Sequence, residues 1–141
     1  KEKDNIICPK VFFSSENNVY IDGDNQDLDF EKINYKASLN NHEFTRNCIS
    51  ETNYKYFNLE LLILVEPLNP KNREINLPIF VLLYDIEDNL IDKQYFRVQA
   101  NLNYFENTLS YETTEIIKNL DISLESEQLV SSMIIGFVKL D

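Results

Sequence analysis

Apolar and polar residues alternate along most of this chain with a period of two, the period of a β-strand whose side chains point by turns to opposite faces. In YFNLELLILVE, residues 56–66, Phe57, Leu59, Leu61, Ile63 and Val65 share one face. The other face carries Tyr56, Asn58 and Glu60, then Leu62 and Leu64. That predicts a long strand, open to water at one end and covered on both faces at the other. INYKASL, residues 33–39, sets Ile33, Tyr35, Ala37 and Leu39 against Asn34, Lys36 and Ser38, a strand with one wet face. LPIFVLLYDI, residues 77–86, is nearly continuous apolar and rich in β-formers, as a central strand is. Pro78 is expected at its start, where a missing N–H is tolerated.

The remaining elements follow from turn chemistry. Asp88-Asn89 signals a turn, because short Asx side chains tolerate left-handed backbone. Beyond it Tyr95, Arg97 and Gln99 alternate with Phe96 and Val98, which predicts a β-hairpin with the preceding strand. LNPKNRE, residues 68–74, is a polar loop between the two central strands. KVFF near the start is a first strand, SYETTEIIKNL a more exposed one, and MIIGFVKL the last, with Gly136 as a bulge. SLESEQLV is expected as one short helix with Ser123 as its N-cap. Seven or eight strands with turns every 8–15 residues predict an all-β domain. The fold class is an antiparallel β-sandwich, immunoglobulin-like in broad architecture, with a closed barrel as the other solution. A single domain over residues 8–141 follows an N-terminal tail, residues 1–7.

Composition narrows the function classes. The 141 residues carry a net charge of −11, with 43% apolar residues. That is enough chain to bury a core, and too apolar for a disordered segment. The acidic balance argues against nucleic-acid partners and against electrostatic attachment to anionic lipids. No apolar run reaches the roughly 20 residues that span a bilayer. The chain begins at Lys1 rather than Met, as expected of a processed or truncated product.

YIDGDNQDLDF, residues 20–30, is the densest run of oxygen ligands, and Asp22, Asp24 and Asp27 are the candidate calcium ligands. Set on the spacing of an EF-hand loop from Asp22, the sixth position is Asp27, where glycine should turn the chain. The twelfth is Ile33, where a bidentate Glu should stand. The expectation is a solvated turn built on Gly23, with no metal and no cofactor. His42 is the sole histidine and lies in NNHEFT, a polar stretch between strands. No nucleophile elbow, P-loop or zincin motif is present, so no catalytic residues are expected. Cys8 and Cys48 have no CxxC or histidine neighbours, which argues against zinc. They are two buried thiols or one disulfide.

The order of landmarks is distinctive. Cys8-Pro9-Lys10-Val11 opens the domain, and Asp27-Leu28 precedes the strand INYKASL. Cys48 follows, and then residues 56–98 give a strand, a Pro-containing loop and a hairpin with Phe96 and Val98. Gly136-Phe137 and Leu140 close the chain. This order resembles that of a family of small alphaproteobacterial envelope lipoproteins, over about residues 8–140. The chain departs from that pattern in being poorer in Gly and Arg, and in a loop 68–74 without glycine. The resemblance implies a Cys8–Cys48 disulfide, because an envelope protein meets an oxidising periplasm. It implies periplasmic or outer-membrane localisation through a lipid anchor upstream of Lys1. Cys8 itself, preceded by Ile6 and Ile7 and followed by Pro9, is a poor acylation site. The expected function is a non-enzymatic binding or scaffold module acting on an envelope protein partner. The alternative is a calcium-dependent or carbohydrate-binding β-sandwich.

Overall fold

The computed structural model describes residues 3–23, 30–105 and 110–139. In chain order its strands are β1 (Lys3–Ile6), β2 (Lys10–Phe13), β3 (Val19–Gly23), β4 (Ile33–Phe44), β5 (Cys48–Glu51) and β6 (Tyr54–Pro67). There follow β7 (Glu74–Tyr84), β8 (Leu90–Asn101), β9 (Asn103–Phe105), β10 (Ser110–Glu112), β11 (Thr114–Glu125) and β12 (Ser132–Phe137). They form an antiparallel β-sandwich, immunoglobulin-like in its broad two-sheet architecture. The long strand β6 is the hub of the six-stranded sheet. β5 and β4 share one of its edges in succession, extended by β1 and β3, and β11 pairs along the whole of the other. The facing sheet has the order β2-β12-β7-β8, and β9 and β10 form a separate small hairpin. One pair, β2 with β12, is parallel.

The inner face of β6 is the one the alternation predicts. Phe57, Leu59, Leu61, Ile63 and Val65 of β6 meet Ile75, Leu77, Ile79, Val81 and Leu83 of β7 in one core, all at most 2% exposed. Each such aliphatic contributes about 1.5–3 kcal/mol by leaving water. The β7–β8 hairpin turns where expected, with Asp88 at φ 63° and the Asp85 carboxylate accepting from the N–H groups of Glu87 and Asn89. Cys8 and Cys48 are bonded, Cα to Cα 5.3 Å, which ties the β1–β2 crossing to the head of β5. A cross-link 40 residues apart stabilises by roughly 4 kcal/mol in the chain-entropy model.

Several local expectations fail for identifiable reasons. Pro78 stands inside β7, not at its start. Its carbonyl accepts from Val138 N–H on the β12 side, just past the last paired residue of β12. Its nitrogen points the same way, so no ladder bond to β8 is lost. SLESEQLV is not a helix: its first three residues end β11, because Leu124 continues the inward series Leu120 and Ile122. Gly136 makes no bulge, and β12 pairs with β7 in unbroken register through it. A Cβ there would lie 2.5 Å from the Phe80 ring, so the glycine makes room for that ring. Residues 3–6, inside the expected tail, pair with β5 as β1.

Candidate binding surfaces

The acidic loop comes first. Asp22 is the penultimate residue of β3, and its carboxylate accepts from Asn34 Nδ2 at 2.9 Å. Asp24 and Asp27 lie outside the described residues. Among the described residues no cluster of three or more His, Cys, Asp or Glu is poised for a metal ion. His42 lies within β4, not between strands. The pairing of β4 with β6 slips by one residue between Leu39 and Asn41. That slip reverses the alternation and turns His42 inward, opposite Leu61. Its ring meets Phe13 edge-on, centroids 5.2 Å apart. This is a packing role that closes one side of the sandwich.

A polar corner forms where β7 runs on beyond β12. The Tyr35 hydroxyl donates to the Asn76 carbonyl and accepts from the Asn76 N–H, replacing the strand neighbour that β7 lacks there. Burial pushes the Tyr35 phenol up to about 12, partly offset by the Asn76 bond and assisted by the Asp22 charge. The Tyr20 phenol is raised too, by burial first and then by Asp22. Asp22, Asn34, Asn72 and Glu74 line a shallow hollow beside Tyr35. Both phenols stay protonated at neutral pH, so they supply hydrogen bonds there and no base.

The outer faces of the two sheets are broader and very different. On the four-stranded sheet the register sets Phe12, Ile134, Leu82 and Lys93 in one cross-strand row. The next row holds Gly136, Phe80 and Tyr95, and Arg97 follows opposite Pro78. Tyr84 and Leu90 stand on the other side of the first row. Tyr95 is 64% exposed and Phe12 53%, while Phe80, Leu82, Tyr84 and Ile134 are half-buried. The charges among them, Lys10, Lys93 and Arg97, are all basic.

The six-stranded sheet presents acids. Glu43 faces Glu60 directly across β4 and β6, and Glu66, Glu115, Asp121 and Glu125 occupy outward positions nearby. Their basic neighbours in the registers are few: Lys36 opposite Glu66, and Lys3 opposite Glu51. Leu62 and Leu64, which were expected to be covered, are half-buried.

No protein-family model, curated protein or solved structure matches the chain. Among the described residues no helix is long and apolar enough to cross a membrane. Sequence reasoning missed the four-stranded face, although its signal is present. The run LPIFVLLY is apolar at both parities, which predicts a strand covered on both sides. In the structure the second apolar parity of β7, Phe80, Leu82 and Tyr84, is only half-buried, in excess of what the core uses.

Proposed function

We propose that the protein is a non-enzymatic binding module that engages a protein partner through the outer face of its four-stranded sheet. The carrying observation is that excess. Phe80, Leu82, Tyr84 and Ile134 form neighbouring, half-buried apolar positions on the outer face, with Phe12 and Tyr95 exposed beside them. Contiguous apolar surface costs solvation free energy, and on folded proteins it marks interaction sites. Aromatic residues with basic neighbours are the composition of interface anchors. The disulfide is compatible with an oxidising compartment, and the lipoprotein resemblance supports an envelope setting with a lipid anchor upstream. A second reading, carbohydrate binding by stacking on Tyr95 and Phe12, draws on the same exposed rings.

The experiment is chemical cross-linking in the native envelope, comparing wild type with a Phe12→Ser/Tyr95→Ser variant. A cross-linked protein adduct that the variant loses, while it melts like the wild type, supports the reading. An adduct formed equally by both sinks it. Retardation in gels containing polysaccharide, abolished in the variant, would move the assignment to carbohydrate.

A further inference from the structure

The sandwich leaves two strand edges open on the same side. β8 ends the four-stranded sheet and β11 ends the six-stranded one. Gln94 of β8 donates across the gap to the Ser123 carbonyl of β11 at 2.8 Å. Among the described residues no strand pairs with the far edge of either. The hydrogen bonds of the neighbouring strands fix which backbone groups these edges offer. The Pro78 carbonyl points to Val138, away from β8, and Pro78 stands opposite Arg97. Such a pair turns the N–H and C=O of both residues outward. By the same period Lys93, Tyr95 and Gln99 face the open edge. On β11 the Ser123 carbonyl is turned to Gln94, and Asn58, opposite Asp121, gives its carbonyl to Thr45 on the far side. Ile117, Asn119, Asp121 and Glu125 therefore face their open edge as well.

These two edges carry opposite charge. The outward residues of β8 are Lys93, Tyr95 and Arg97, and those of β11 include Glu115, Asp121 and Glu125. We propose that two copies of this chain associate side by side, β8 of each pairing with β11 of the other. β6 and β7 run in opposite directions through the loop 68–73, so β8 and β11 run opposite to each other. A two-fold axis parallel to the strands keeps strand direction and exchanges the sheets. It thus brings β8 against β11 of the second copy, antiparallel, at both edges. Each four-stranded sheet then continues into the other copy's six-stranded sheet, with outer faces flush.

The register follows from Gln94 and Ser123, which mark a common height within one copy. To within a residue, Arg97 meets Asp121 of the second copy and Lys93 meets Glu125. Opposite charges across a strand pair are favourable and like charges are not. Pairing β11 with β11 would set acids against acids, and pairing β8 with β8 would set Lys93 near Arg97. Charge therefore selects the mixed pairing. In the pair the Ser123 carbonyl exchanges the Gln94 amide for a backbone donor.

The test is sedimentation equilibrium over protein concentrations from about 1 μM to about 1 mM. A monomer–dimer equilibrium is expected. Arg97→Asp and Asp121→Arg should each weaken it by on the order of tenfold, and the double variant R97D/D121R should recover it. The exchange Lys93→Glu with Glu125→Lys repeats the test should either first variant fail to fold, as judged by circular dichroism. A monomer at every concentration overturns the proposal. So do single variants that associate like the wild type, a double variant that does not recover, or assembly beyond the dimer.

Discussion

The two outer faces of this sandwich are made by strands of the same length class and alternation, yet they carry opposite charge. β7 turns Phe80, Leu82 and Tyr84 outward, while β6 turns out Tyr54 and Tyr56 at one end, then Asn58, Glu60, Leu62 and Leu64. The edge strand beside β7 adds Lys93, Tyr95 and Arg97, and that beside β6 adds Glu115, Ile117 and Asp121. The inner faces differ little, since both are aliphatic and almost fully buried. Burial makes one demand on a strand, and the second face is free to vary with what it meets. A net charge of −11 describes neither face. The acid gathers on one sheet and leaves the rows around Lys93 and Arg97 of the other locally basic and apolar.

The largest expected effect checks the baseline of the comparison, inner against outer. Leu61→Ala or Ile63→Ala should destabilise by about 2–5 kcal/mol in denaturant melts, because each leaves a cavity in a fully buried site. Leu62→Ala, between them on the outward face, should cost less than about 1 kcal/mol. An equal cost at Leu62 would mean that the six-stranded face is covered, and the contrast would collapse.

Gly136→Ala probes how the apolar face is built. The added methyl would lie 2.5 Å from Cζ of the Phe80 ring, so the ring must shift. A loss of about 1–3 kcal/mol is expected, as for overpacking. In a Phe80→Leu background the same substitution should cost well under half of that. Without this relief, the glycine serves the backbone rather than the ring.

Tyr35→Phe tests the corner where the shorter sheet borrows its cap from the longer one. Its hydroxyl serves two backbone groups of Asn76, so its removal should cost about 1–2 kcal/mol at neutral pH. The pH dependence carries a second readout. The folded phenol sits at about 12, above its unfolded value near 10. Its contribution is therefore complete below pH 10 and is lost as pH rises from about 10 to about 12. The variant should lack that part of the alkaline decline in chemical melts. An unchanged alkaline limb would remove Tyr35 as its source.

The smallest effect sharpens the acidic side. Glu43 and Glu60 stand directly opposite, and like charges there are unfavourable. Glu43→Lys should stabilise the protein by about 0.2–1 kcal/mol in low-salt thermal melts, with the gain shrinking as salt rises. Destabilisation would show that the pair is held apart by something other than solvent.

Much of the fold was legible from the chain because strand facing is a local property. Once Leu59 and Leu61 must be buried, the period of two assigns the whole of β6, and the same holds for β4 up to Leu39. Legibility stops at Asn40, where one extra residue turns His42 inward; a bulge depends on the partner strand, which the sequence of β4 does not contain. The helix expected at SLESEQLV shows the same limit. Its local propensity was overruled by pairing with β6, which carries β11 to Glu125. The candidate surfaces were less legible still, because outward residues lie far apart in sequence and become neighbours only through register. Phe12 and Ile134 stand side by side across a parallel pair that no local pattern announces.

The all-β class, the inward series of β6 and of β4 up to Leu39, the turn at Asp88 and the excess of acid were all legible in the chain. Each of these depends on the period of one strand, the φ tolerance of one residue or a sum over residues. That Pro78 lies inside a strand, that Gly136 shelters a ring, and that acids gather on the outer face of one sheet came from tertiary packing. Those outcomes depend on which strand lies beside which, and pairing is decided by the burial of the whole core at once rather than by any segment within it.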